Sequence, residues 1–130
     1  MLHLKQKTDA GADFITTQLF LDNNHFYKYL DLVEKAGIKI PVLPGIMTAT
    51  KLISLERMTN MCGVEIPERF RLATAACAID NPVCEDTVKY TVGQINHLIK
   101  NGVKGIHLYT MNKVEQNKRI YAESNLSKVR

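Results

Sequence analysis

The residues of this chain best suited to chemistry stand at the ends of short apolar stretches. Gln18 closes Ile15-Thr16-Thr17-Gln18-Leu19, Pro44-Gly45-Ile46 follows a second stretch, and His107, Tyr109, Thr110 and Asn112 close a third. An amide offers one acceptor and two donors, which suits a flat heterocycle with paired donor and acceptor edges. A core glutamine bonded to neighbouring backbone is the equal alternative, because a buried amide without partners costs about 1–3 kcal/mol. Tyr109 can lie against a ring or simply close the core. His107 is expected to alternate away from Tyr109 in a regular strand, so that one of the two faces helices. A satisfied structural histidine is the simpler reading there.

Several chemistries are excluded by what the chain lacks. There is no GxGxxG, GxxxxGK[ST], GxSxG or HExxH pattern. No acidic residue follows the second or third stretch, so no general acid is found and no catalytic residue is assigned. Cys62, Cys77 and Cys84 lack CxxC or Cys/His spacing, so no metal site is expected. Their odd number, without a signal peptide, points to free thiols and a cytoplasmic location. His3, His25 and His97 have no ligand partners nearby in sequence. The net charge of +4 comes from scattered lysines and arginines without an aromatic ladder, which argues against nucleic acid. No run of 18 apolar residues exists, so no membrane span is expected.

The elements that must position these residues repeat one theme: a helix runs into a glycine, and a strand follows at once. It occurs at Gly11, Gly37 and Gly102. Residues 2–10 read as a helix end capped by Gly11. Strands are expected over 14–20, about 38–43 and about 105–109. Pro41 removes a ladder donor and should sit at an edge or bulge. Asp22 or Asn23 should cap a helix carrying Phe26, Leu30 and Val33 on one face. Thr48 or Thr50 should cap a helix holding Leu52, Leu55, Met58 and Cys62, with Gly63 as its stop. Pro67 opens a further helix. After the break at Asp80-Asn81-Pro82 comes the longest helix, striped by Cys84, Val88, Val92, Ile95 and Ile99. A last helix covers about 113–124, and residues 125–130 read as a flexible tail. Helical crossovers join parallel strands, so the class is α/β. Three strands are too few for a self-sufficient parallel sheet, and a closed eight-fold barrel needs about 250 residues.

Four ordered stretches resemble one family. Leu4-Lys5-Gln6-Lys7 with Asp9-Ala10-Gly11-Ala12-Asp13-Phe14-Ile15-Thr16-Thr17-Gln18-Leu19-Phe20 is similar to the LKxKxxAGAdfxxTQxF stretch of 5,10-methylenetetrahydrofolate reductases. Pro44-Gly45-Ile46 resembles their PGI turn. Met61-Cys62-Gly63-Val64-Glu65-Ile66-Pro67 resembles the segment that follows, and His107-Leu108-Tyr109-Thr110-Met111-Asn112 their HFYTLN strand end.

The resemblance implies a partial (β/α)8 TIM barrel, namely its last three β/α units, with residues 1–124 as the C-terminal half of the barrel. It implies reduction of methylenetetrahydrofolate to 5-methyltetrahydrofolate through FAD, with NADH or NADPH as donor, in one-carbon metabolism and methionine supply. Residue by residue, it places Gln18, Met58 and Met111 at the folate and Lys7, Thr16 and Tyr109 at the FAD. Gln6 stands where some members carry an arginine. The implied partners are the missing N-terminal half of the barrel or a second copy of the chain, with a homo-oligomer when complete. An inactive half barrel that serves as a binding module is the alternative.

Overall fold

The computed structural model of the chain describes residues 1–128. In order the elements are α1 (Leu2–Asp9), β1 (Ile15–Leu19), α2 (Asn23–Lys35), β2 (Val42–Met47), α3 (Leu52–Cys62), α4 (Glu68–Ala75), α5 (Glu85–Lys100), β3 (His107–Tyr109), α6 (Val114–Glu123) and a 3-10 turn, Asn125–Lys128. The three strands form one parallel sheet in the order β1-β2-β3.

The helix–glycine–strand theme has a direct backbone cause. Gly11, Gly37 and Gly102 all take positive φ, at 110°, 72° and 82°. That conformation is open to glycine at little steric cost, and it turns the chain from the helix back towards the sheet. Asp22 caps α2 as its type predicts, its carboxylate accepting from the Asn24 N–H.

Helices cover one face of the sheet. Ile15, Val42 and Ile46 pack against Phe26 and Val33 of α2, Val88, Ile95 and Leu98 of α5, and Ile120 of α6. Burying such a side chain is worth about 1.5–3 kcal/mol. A second cluster, Leu19, Leu21, Met47, Ala49, Leu55 and Phe70, gathers at the carboxyl ends of the strands. It fixes where those ends stand.

The structure departs from the sequence expectations in several places. β2 begins at Val42, so Pro44, Gly45 and Ile46 lie inside the strand and not beyond it. Pro41 precedes the strand, and its carbonyl accepts from the Ile15 N–H at 2.8 Å. Pro44 therefore sits in the central strand, where it can donate no ladder bond. β1 answers with a bulge: pairing jumps from Thr16–Leu43 to Leu19–Gly45, three residues against two. Phe14, expected in the strand, lies outside it and is exposed. Neither Thr48 nor Thr50 caps α3. Both are buried, and Lys51 takes the cap position without a side-chain bond.

Cys77 and Cys84 are bonded as a disulfide, with Cα atoms 5.3 Å apart, which corrects the expectation of three free thiols. The turn between α4 and α5 doubles back and brings them together, a closeness that residue spacing does not reveal. Cys62 is free. Residues 125–128 are not a loose tail. Leu126 packs on the main core, and the Asn125 N–H donates to Asn96 Oδ1 at 2.7 Å. The remainder of the expected tail, 129–130, lies outside the described residues. Among the described residues no helix is long and apolar enough to cross a membrane.

Candidate functional site

The bulge in β1 builds the centre of the site. It turns the Thr17 hydroxyl towards β2, where it accepts from the Gly45 N–H at 2.9 Å. The Thr17 carbonyl, freed from the ladder, accepts from the Tyr109 hydroxyl at 3.0 Å. The phenol thus spans from β3 across β2 to β1. It can do so because residue 45 has no side chain. A Cβ there would stand 2.5 Å from the Thr17 carbonyl oxygen and 2.7 Å from the Tyr109 ring. Glycine is required at this crossing by close approach, not by backbone angle.

His107 and Tyr109 do not alternate. Residues two apart on a strand share a face, and their rings meet edge to face at 4.6 Å. Gly45 pairs with His107 and Met47 with Tyr109, so one row of side chains runs across β2 and β3. His107 and Thr16 are exposed.

Gln18 is exposed rather than buried, because no described element covers its side of β1. Its Oε1 accepts from the Leu19 N–H at 3.0 Å. Among the described residues its NH2 group makes no hydrogen bond, so two donors stay open beside Thr17. Gln18, Thr16 and Thr17 line a cavity of about 410 Å3 along the free edge of β1.

Met58 and Met111 come from sequence positions 53 residues apart (111 minus 58), yet they line one cavity of about 180 Å3. Thr48, Thr50 and Lys113 line it too. Two thioether side chains make an adaptable apolar wall, and the Lys113 ammonium makes that wall attractive to an anion. Met111 and Asn112 hold φ of 49° and 57°. Two non-glycine residues in the left-handed region cost about 1–3 kcal/mol each and persist only where neighbours impose them. Here the Lys113 N–H and the Asn117 amide both donate to the Thr110 carbonyl, at 2.9 and 3.0 Å, and lock the turn.

Lys7 is not brought to these residues. It is exposed in the last turn of α1 and lines neither cavity.

Sequence reasoning missed Gln116, which is fully buried. Its Nε2 donates to Thr48 Oγ1, Thr87 Oγ1 and the Ala49 carbonyl, at 2.6, 2.8 and 3.0 Å. Its Oε1 accepts from the Cys84 N–H at 2.7 Å. One amide thereby joins α6, the start of α5, and the Thr48–Ala49 wall of the methionine cavity. The signal in the sequence was an amide four residues before Ile120, on the same helix face.

A family model described as methylenetetrahydrofolate reductase matches residues 1–125. The chain belongs to the methylenetetrahydrofolate reductase family. It is 41% identical over 111 residues to Methylenetetrahydrofolate reductase 1 of Schizosaccharomyces pombe, covering 85% of this chain and 18% of that protein. It is 36% identical over 114 residues to a probable methylenetetrahydrofolate reductase (NADH) of Oryza sativa subsp. japonica, covering 86% and 19%. It is 31% identical over 120 residues to 5,10-methylenetetrahydrofolate reductase of Salmonella typhimurium, covering 88% and 39%. The chain therefore spans between about one fifth and two fifths of these methylenetetrahydrofolate reductases.

Proposed function

We propose that this chain is the last three β/α units of a partial (β/α)8 barrel and supplies the folate-side rim of a methylenetetrahydrofolate reductase active site. The observation that carries the reading is the meeting of Met58 and Met111 on one cavity at the strand ends, in a chain of this family. A folate offers an apolar ring system and a carboxylate tail. The two thioethers suit the rings, and the Lys113 ammonium suits the tail. Gln18 lines a separate cavity, with Thr16 and Thr17, and presents two open donors suited to the acceptor edge of a pterin.

FAD would supply the hydride-carrying chemistry, with NADH or NADPH as donor. Thr16 and Tyr109 stand on or beside the open side of the sheet and fit the ring portion of such a group. The Tyr109 hydroxyl is already committed to the Thr17 carbonyl, so this residue would offer its ring and not its proton. Lys7 would have to reach the phosphates from α1. The acid and the remaining cofactor contacts would come from the N-terminal half of the barrel or a partner copy, within a homo-oligomer. The product would serve methionine supply in the cytoplasm.

The test is a chimera in which this chain replaces the matching 120 residues of the Salmonella typhimurium relative. It should hold FAD and reduce methylenetetrahydrofolate. In it, Gln18→Ala should weaken folate turnover while flavin reduction by the nicotinamide is largely kept. Equal loss of both half-reactions overturns the role of Gln18. A folded, flavin-loaded chimera without folate turnover overturns the reading as a whole. The 130-residue chain alone should bind FAD weakly, and stoichiometric yellow protein would contradict that.

A further inference from the structure

The bulge in β1 changes which face the strand presents. Ile15 and Leu19 are an even number of residues apart and would share a face in a regular strand. Ile15 instead packs in the core beneath the helices, and Leu19 packs with Met47 and Tyr109 at the strand ends. Leu19 pairs with Gly45, which itself pairs with His107. A slip of one residue moves every later side chain to the other face. The bulge therefore decides where Gln18 and Leu19 stand.

Side chains, not the ladder alone, hold this bulge. Pro44 has no N–H to offer. The Gly45 N–H donates to the Thr17 hydroxyl, and that hydroxyl donates to the Gln18 carbonyl, both at 2.9 Å. A hydroxyl can serve both because it accepts and donates at one atom. The Leu19 N–H donates to Gln18 Oε1 at 3.0 Å, and this bond orients the amide. A flip would set NH2 against N–H. The oxygen stays at the bulge, and the NH2 group is the end left open.

We propose that Thr17 is a positioning residue: its hydroxyl fixes the bulge that aims the Gln18 NH2 group at the acceptor edge of a pterin. Thr17 acts through Gln18 rather than on the substrate, and this role rests on the reading of the strand ends as a folate rim.

The experiment has two arms. In the 130-residue chain, Thr17→Val removes the hydroxyl, and amide hydrogen exchange reads the bulge. The Gly45 and Leu19 amides should exchange at least about tenfold faster, while those of α5 stay within about twofold of the parent. Thr17→Ser keeps the hydroxyl and should hold both amides within about threefold of the parent. In the chimera with the Salmonella typhimurium relative, Thr17→Val should raise the KM for methylenetetrahydrofolate about tenfold or more and change flavin reduction by less than about threefold. Thr17→Ser should restore the KM. Added to Gln18→Ala, Thr17→Val should change that KM by less than about twofold, because the residue through which it acts is gone. Unchanged exchange at Gly45 and Leu19 overturns the proposal, as does an additive loss in the double variant. Loss of flavin or of both half-reactions together in Thr17→Val marks a merely structural residue and overturns it too. Should Thr17→Val not fold, Thr17→Ser decides alone: a tenfold rise in its KM is refuting. A flavin-loaded parent chimera without folate turnover removes the folate reading and this role with it. A parent that turns over folate, matched by Thr17→Val, removes the role of Thr17 only.

Discussion

Replacing Gln116 by leucine tests whether one buried amide holds the strand ends in place. The side chains are similar in volume, so the change removes hydrogen bonds with little cavity. Four groups lose a partner: the Cys84 N–H, the Thr48 hydroxyl, the Thr87 hydroxyl and the Ala49 carbonyl. The last two keep their bond to each other at 2.7 Å, so two groups, the Cys84 N–H and the Thr48 hydroxyl, are left bare. Each buried, unsatisfied group costs about 1–3 kcal/mol. The expected loss is about 3 kcal/mol, a large part of the 5–15 kcal/mol that holds a domain folded. With an unfolding entropy of about 2.1 cal/mol/K per residue over 130 residues, the midpoint should fall by about 11 °C. Thermal unfolding of Gln116→Leu measures that shift, and urea unfolding of Gln116→Leu, Thr48→Val and the double variant measures the free energies. The two changes share a bond, so the double variant should be less destabilised than the sum by at least about 1 kcal/mol. A loss for Gln116→Leu under about 1 kcal/mol, or strict additivity, would refute the reasoning.

Three further outcomes follow from the same geometry. Gly45→Ala should cost about 1–3 kcal/mol or more in chemical denaturation, because the new methyl meets a carbonyl oxygen and a ring that cannot both withdraw; an unchanged midpoint would show that Tyr109 does not cross there. Gln18→Ala should leave stability within about 0.5 kcal/mol, since the side chain is exposed; a larger fall would mark it as structural. Burial, and then the Asp22 carboxylate, raise the Tyr90 phenol above its ordinary value near 10. The folded state thus favours the neutral phenol, so its stabilising share is complete below pH 10 and is lost as pH rises through the higher folded value. Tyr90→Phe should therefore flatten the alkaline limb of a stability–pH curve. It should also cost about 0.5–1.5 kcal/mol at neutral pH through the lost bond to the Leu21 carbonyl; an unaltered alkaline limb would refute the assignment.

Much of the architecture was legible in order along the chain. Glycines 11, 37, 63 and 102 marked helix ends correctly, because positive φ is a local property of one residue type. The apolar stripes of α2 and α5 were legible for a similar reason: Phe26, Val33, Val88 and Ile95 follow the helix period and are buried. The second strand was misplaced by several residues. Pro44 looked like a terminator, and only the bulge in the neighbouring strand lets a proline sit in the centre of the sheet.

The candidate site divides along the same line. Sequence by itself determined the family, the parallel α/β class and the residue types at the strand ends, since these rest on local chemistry and ordered motifs. It placed Gln18 in a buried strand, whereas exposure depends on what covers the sheet. It set His107 and Tyr109 apart, yet the strand period puts them on one face. The joining of Met58 to Met111, the crossing of Tyr109 over Gly45, the Cys77–Cys84 bond and the four contacts of Gln116 were decided by tertiary structure alone. Each depends on distances between groups 7 to 92 residues apart in sequence, and no local rule specifies such distances until the elements have packed.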